Sequence, residues 1–425
     1  MNNISPAFVK SVADVLNDKC YCMTLDHEQL VANLQDRTAP SDLWQNLADS
    51  HPHLFASTPT FIAAASLCDM LNIVTAIEEV ASLPAYRAMV LRDATPLAQV
   101  DHGPRGLFMG YDFHITAEGP KLIEINTNAG GAFLNAALKE AQKACCKEIL
   151  YSLAQEEVKH FNRKILDMFA AEWKLQKPHS ELRSIAIVDS APLQQYLYPE
   201  FLLAKSVLEK SGYSVHICDP TDLVWDGECL KLGPTPIDFV YNRLVDFALE
   251  DPAHRALRDA YAAGSIVLSP NPHLHAVFAN KRNLTVLSDR LALQKLGVTA
   301  NNIAILSAIP QTTEVTVEVA EKLWAARSNL FFKPSNGHGG KAVYRGDKLT
   351  RRVWAEILAG NYVAQELVLP SQRGVRATGS ETPFKMDVRI YTYAGKMLIA
   401  ASRLYRGQTT NFRTEGGGFS PLFIV

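Results

Sequence analysis

The sequence predicts a mixed α/β (α+β) protein in which a small parallel sheet is set between segments rich in helices and antiparallel hairpins. Three observations carry this. Strand-length and helix-length runs alternate from Ser184 to Leu268. The C-terminal third holds hairpins with clean period-two alternation, above all Lys385–Tyr405. A strand octet, Lys121–Asn128, stands far upstream, in largely helical sequence. Alternating strands and helices imply parallel pairing, and adjacent period-two runs joined by a tight turn imply antiparallel pairing.

Residues 1–160 read as mostly helical, apart from strands around Asp112 and Glu124. Helices are expected near Ser5–Asn17, His27–Ala39, Phe61–Leu83 and Leu134–Phe161, and Trp173–Glu181 reads as a polar linker. Residues 182–275 form the parallel segment. Its expected strands are Ile185–Asp189, Tyr213–Ile217, Phe239–Tyr241 and Ile266–Leu268, with a helix at Phe201–Ser211 closed by Gly212. Open parallel sheets bind ligands at the carboxyl ends of their strands, where Asp189, Asn242 and Arg243 sit. Residues 276–425 supply an apolar strand, Leu330–Lys333, a glycine-rich loop through Gly340, and a second strand, Lys341–Tyr344. The strand Tyr362–Val368 and the hairpin Lys385–Tyr405, turning at Ala394-Gly395, follow.

Composition sets outer bounds. At 425 residues, with 48% hydrophobic and 20% charged residues and a formal charge of −2, the chain predicts two or three globular domains. No basic excess argues for nucleic acid. The N-terminus lacks a signal-peptide pattern, and the most apolar run, Phe61–Val80, carries Asp69, Glu78 and Glu79, so an amphipathic helix is expected there and no membrane span. Seven cysteines without framework spacing suggest reduced thiols and a cytoplasmic location. Cys20 with Cys22, and Cys145 with Cys146, are redox or metal pairs on one reading and buried small apolar residues on the other. Self-association as a homodimer is left open.

The chemistry concentrates in a few short blocks. Glu124 and Asn126 are two apart on a strand and so share a face, with Ile123 and Ile125 on the other. A carboxylate and an amide oxygen on one polar face suit a hard cation such as Mg²⁺. In Lys333-Pro-Ser-Asn-Gly-His-Gly-Gly340, backbone amides in a glycine-rich loop can approach phosphate oxygens, with Lys333 adding charge. A flexible hairpin with an exposed lysine is the alternative. Asp387, Arg389 and Tyr391 share one face of their strand. With Arg403, Arg406 and the run Asn411–Gly418 they outline a site for a charged, metal-bound ligand, or else a strand-surface salt bridge of little worth.

These blocks, with Val363-Ala-Gln-Glu-Leu-Val368 and Asp387-Val-Arg389, resemble the signatures of the ATP-grasp superfamily. Ordinary members place the Glu-x-Asn block last, after a Gly-x-Asp phrase and a Gly-Pro turn. Here Gly110-Tyr-Asp112, Gly119-Pro120 and Glu124-Ile-Asn126 come first. The order is similar to circularly permuted members, of which eukaryotic glutathione synthetase is the familiar case. The resemblance therefore implies a circularly permuted ATP-grasp fold with an inserted small parallel α/β substrate domain. Two features depart from that enzyme: Ser335-Asn-Gly-His338 lacks its loop glutamate, and Met109-Gly110 stands where an arginine is usual.

The resemblance implies ATP and two Mg²⁺ ions as cofactors. Glu124, Asn126 and Asp387 become the metal ligands. Lys281 and Lys333 hold phosphates, with Ser335, Gly337, His338, Gly339 and Gly340 as the phosphate loop. Gln365, Glu366, Leu367 and Val368 form the strand that reads adenine. Arg389, Arg403 and Arg413 meet the transferring phosphoryl group. Asn242 and Arg243 are placed at the substrate, with an Arg243–Asp246 salt bridge as the alternative. His273 and His275 are loop histidines or, less simply, a metal pair. The implied activity is a carboxylate–amine ligase acting on small molecules through an acylphosphate. A phosphotransferase and a non-catalytic nucleotide-binding module are the alternatives.

Overall fold

The computed structural model describes residues 10–20, 23–38, 42–144, 160–337, 342–374 and 383–425. Its centre is a six-stranded antiparallel sheet in the order Gly418–Ser420, Lys396–Tyr405, Phe384–Tyr393, Met109–Thr116, Gly119–Asn126, with Ser371–Arg373 also paired to Phe384–Tyr393. The Glu124 strand and its neighbour Met109–Thr116 thus complete a sheet whose other strands all lie at Ser371 or beyond. The alternation read from the sequence places its side chains. Met386, Val388 and Ile390 join Tyr111, Phe113 and Ile125 in a core beneath the helix Ala64–Ser82. Asp387, Arg389 and Tyr391 face the other side. There Tyr391 is buried among the helices Ala132–Glu140 and Phe161–Gln176, while Asp387 and Arg389 line a cavity. The two-residue turn at Ala394-Gly395 has φ +46° and +75°, the left-handed pair that a tight hairpin requires.

The central sheet is parallel throughout, in the order Val267–Ser269, Phe239–Asn242, Ser184–Val188, Ser214–Cys218. Its strands are apolar on both faces, as a sheet covered on both sides demands. A third sheet, Thr312–Glu314, Tyr362–Glu366, Leu330–Pro334, Tyr344–Arg345, is antiparallel. It packs Phe332 and Ala364 on Trp354 and Ile357 of the helix Arg351–Ala359. That helix starts at Thr350, whose hydroxyl accepts the Val353 N–H, and stops at Gly360.

Three expectations need correction. The Phe61–Leu83 helix begins later, because Thr60–Ile62 is a buried strand paired in parallel with Leu422–Ile424. β-Branched, fully buried residues suit that strand, but its partner lies some 360 residues away, beyond any sequence window. The single helix Leu134–Phe161 is interrupted. Ala132–Glu140 ends at Ala141, and Gln142–Ala144 pairs with Met23–Leu25; residues 145–159 are outside the described set. The linker beginning at Trp173 is packed structure. Its helix runs to Gln176, Trp173 is buried, and its indole donates to the Ser180 carbonyl at 2.8 Å. Cys22, Cys145 and Cys146 lie outside the described residues, so neither cysteine pair is described as a pair; Cys68, Cys218 and Cys229 are free thiols. No helix among the described residues is long and apolar enough to cross a membrane.

Candidate active site

A cavity of about 200 Å³ lies between the six-stranded sheet and the third sheet. Sheet register decides who meets in it. Arg389 stands opposite Asp112, Asp112 opposite Glu124, and Asp387 opposite Arg403. Arg389 donates to both oxygens of Asp112, at 2.5 and 2.6 Å. Arg403 donates to both oxygens of Asp387 and to Asp112, each at 2.9 Å. Two buried carboxylates, the buried Arg389 guanidinium and the part-buried Arg403 guanidinium therefore form one neutral network of charge-assisted bonds. Burial pushes the Asp112 carboxyl up, but Arg389 and Arg403 outweigh it and hold it well below the usual carboxylate range. Asp112 is the residue that sequence reasoning missed: it appeared as part of a phrase, with no role. Thr410, whose hydroxyl donates to Asp387, was missed as well.

The two lysines reach the same cavity from different elements. The Lys333 ammonium is buried and donates to the Gln365 side-chain oxygen at 2.6 Å and the Ile123 carbonyl at 3.1 Å. Burial lowers its pKa to about 8, with Lys281 adding to the effect and Glu124 and Asp112 opposing it. Lys281 donates to the Gly337 carbonyl at 2.7 Å and lies 3.3 Å from Glu124. The loop does join two antiparallel strands, as the hairpin alternative has it, but its lysine is buried and not exposed. Gly337 is required sterically: a Cβ there would stand 2.3 Å from the Pro334 ring. The Ser335 hydroxyl is buried with no hydrogen-bond partner among the described residues. His338, Gly339 and Gly340 lie outside the described residues. Glu366, Leu367 and Val368 line the cavity rim with Gln365. His114, not singled out by the sequence, fixes that rim by bonding the Val368 carbonyl at 2.8 Å.

The proposed phosphate charge on Lys333 makes a pH prediction. Lys333 is protonated below about pH 8 and neutral above it, so an interaction that needs its charge weakens as pH rises through that value. ATP affinity should fall by up to about tenfold per pH unit above 8, with net proton uptake on binding near pH 8.5. Calorimetry in buffers of different ionisation heat measures both quantities, and affinity flat from pH 7 to 9.5 would remove Lys333 from the phosphate site.

The donors proposed for Mg²⁺ fit it in kind. Glu124, Asn126 and Asp387 offer oxygen ligands and line one cavity. Asn126 gives its amide N–H to Asp112 at 3.2 Å, which turns its oxygen away from that carboxylate. Glu124 and Asp387 are on strands separated by the Asp112 strand, two spacings or about 10 Å apart. Among the described residues, no three His, Cys, Asp or Glu side chains are grouped closely enough to hold a metal alone. Mg²⁺ is ordinarily held by one or two carboxylates together with substrate phosphates, so such a set suffices.

A second cavity, of about 320 Å³, adjoins the first and shares Glu124, Asn126, Lys281, Arg389 and Arg403 with it. Arg243 and Asp189 line it from the carboxyl ends of the central strands. The alternative partner for Arg243 is not used. Asp246 accepts from His254 at 2.8 Å, while Arg243 bonds Asn128 and lies over the rings of Tyr241 and Phe201. Burial raises Asp189 to a pKa of about 6, with Arg243 opposing. Asn242 is near but not in the cavity lining. Its amide is committed to the Pro270 carbonyl and the Leu244 N–H, at 3.2 and 3.0 Å, which reads as structural. Arg413 is exposed and lines neither cavity. His273 is buried against the Ala98 carbonyl, and His275 stacks on Phe247 at 3.9 Å, so the two rings serve separate surroundings.

Comparison with solved structures decides the fold. A glutathione synthetase-like effector from Globodera pallida superposes with a TM-score of 0.56 at 12% identity, over 94% of this chain and 98% of that one. The chain has an ATP-grasp fold of the glutathione-synthetase-like type. At that identity the likeness concerns fold alone. A protein assigned as gamma-glutamylcysteine synthetase from Methylobacillus flagellatus matches at TM-score 0.49 and 12% identity, over 86% of this chain and 89% of that one. The ATP-grasp ligase PsnB, complexed with a minimal precursor, matches at 0.30 and 13% identity, over 57% and 90%. These two scores are too low to argue from. No family model and no curated protein matches the sequence.

Proposed function

We propose that this ATP-grasp protein is an ATP- and Mg²⁺-dependent carboxylate–amine ligase. The observation that supports it most is the arrangement of Arg389, Arg403, Lys281 and Lys333 around one cavity that opens into a second one holding Arg243. Four cations converge where a polyphosphate would lie, and a fifth waits where a carboxylate substrate would. Phosphoryl transfer needs positioning and charge neutralisation more than covalent help from the protein.

In this reading residues 1–160 and 276–425 supply the nucleotide site, residues 182–275 the substrate domain, and the block order reflects circular permutation. Gln365–Val368 hold the adenine edge; Lys281, Lys333 and the Ser335–Gly337 backbone hold phosphates. Glu124, Asn126 and Asp387 would hold Mg²⁺, which would supply neutralising charge to the phosphates. A substrate carboxylate oxygen attacks the γ-phosphorus, forming a C–O–P link as the bond to the β-phosphate oxygen breaks and ADP leaves. Arg389 and Arg403, oriented by their bonds to Asp112 and Asp387, stabilise the charge on the transferring group. An amine then attacks the acyl carbon, loses a proton and expels phosphate. Exposed Arg413 has no role in this scheme. ADP release screened against amino acids, dipeptides and polyamines, singly and in pairs, tests the proposal. Release that needs an acid and an amine together supports it, while a stable phosphorylated product formed from one compound favours a phosphotransferase.

Arg243 gives a separable expectation. A charge-assisted bond to a carboxylate is worth about 1.5–3 kcal/mol, so Arg243→Ala should raise KM for one substrate by roughly tenfold to a hundredfold and leave ATP affinity unchanged. Steady-state kinetics with each substrate varied in turn checks it. Equal KM values would return Arg243 to a purely structural role.

A further inference from the structure

The second cavity is charged at one end and aromatic at the other. Tyr196 and Phe412 lie 5.6 Å apart between ring centres, and Phe412 and Phe419 4.8 Å apart. Phe419 and Phe201 are fully buried, but Tyr196, Phe412 and Phe247 are only half-buried, and Val245 beside them is 53% exposed. All of these line the cavity. Large apolar side chains left half-open around a concave site mark surface that a ligand covers. Their placement is built in. Gly131 runs against Phe419 so closely that a Cβ would stand 2.2 Å from the ring. A Cβ on Gly130 would stand 2.6 Å from Leu197 and 2.8 Å from the Arg243 guanidinium. Tyr391 ties the same turn down through the Gly130 carbonyl at 2.7 Å. The rings also come from separate parts of the chain: Tyr196 from the central segment, Phe412 and Phe419 from the C-terminal glycine-rich stretch.

Resting on the ligase reading, we propose that the carboxylate substrate is an amino acid or short peptide bearing an aromatic side chain. Arg243 and the shared arginines address its carboxylate, and the half-buried rings of Tyr196 and Phe412, backed by buried Phe419, pack against its ring. A substrate the size of alanine would reach the charged end and leave the open sides of Tyr196 and Phe412 uncovered. An aromatic side chain covers those open sides and gains ring–ring contact as well as area.

Calorimetry on the full chain with ATP and Mg²⁺ present provides the test, using phenylalanine and alanylphenylalanine against alanine and alanylalanine. The aromatic member of one or both pairs should bind at least about tenfold more tightly. Phe412→Ala should abolish that preference, Phe412→Tyr should retain it, and ATP affinity should stay the same in both, which also reports correct folding. Equal affinity within each pair, or no binding by any of the four, overturns the proposal. ADP release measured on the same samples keeps the two ideas apart. Aromatic preference in binding without ADP release from any acid and amine pair would leave the pocket assignment standing and remove the ligase. ADP release that ignores the side chain would do the reverse.

Discussion

Asp387→Asn should lower turnover by about 10³-fold or more while ATP binds with near-native affinity. Asp387 is buried, opposes Arg403 across the sheet, and is the one proposed Mg²⁺ ligand on the same strand as Arg389. The amide keeps the volume and one oxygen but loses the charge that balances both the metal and Arg403. The groups assigned to ground-state nucleotide binding, Lys281, Lys333 and the Gln365–Val368 rim, lie on other elements and are untouched. The loss should therefore fall on kcat, because charge develops on the transferring phosphoryl group beside Asp387 and Arg403. Rapid-quench turnover with calorimetry on the same variant checks this. Native kcat would mean that the metal is held elsewhere, and a collapse of ATP affinity would mean that Asp387 acts in binding.

Asp112→Ala should cost about 3–5 kcal/mol of stability, the expected penalty for stripping a buried charge of its partner. Arg389 loses both its carboxylate bonds and stays buried, while part-buried Arg403 loses one of three. The linkage has a definite sign. The two arginines hold the Asp112 pKa below its unfolded value, so its contribution is present above the ordinary carboxylate range and fades as pH falls below about 4. Chemical denaturation at pH 7 and at about pH 2 measures both effects. A loss under 1 kcal/mol at pH 7 would show that Arg389 finds another partner, and the same loss at lower pH would contradict the linkage.

Much of the fold was legible because alternation is local. The hairpin Lys385–Tyr405 with its turn, the four parallel strands of the central sheet and the shared face of Asp387, Arg389 and Tyr391 follow from side-chain period and turn chemistry. What was not legible depended on partners distant in the chain. Asp112 looks like any strand acid until register sets it between Glu124 and Arg389. Asp246 is three residues from Arg243, which suggests a pair, yet His254 takes it. Asn242 stands at a strand end like Arg243, but its amide is consumed by Pro270 and Leu244. Arg413 stands just before a glycine run, and sequence proximity gives no side-chain direction; it is exposed while its neighbour Phe412 turns inward. Thr60–Ile62 reads as the start of a helix until Leu422–Ile424 lies beside it.

Hydroxylamine trapping addresses the chemistry most directly. With ATP, Mg²⁺ and a carboxylate substrate that stimulates ADP release, added hydroxylamine should capture the activated acyl group as a hydroxamate, in step with ADP and phosphate. Formation should vanish in Asp387→Asn and persist when the amine substrate is omitted. A stable phosphorylated compound, with ADP formed and no hydroxamate at any hydroxylamine concentration, would contradict the acylphosphate route and with it the ligase.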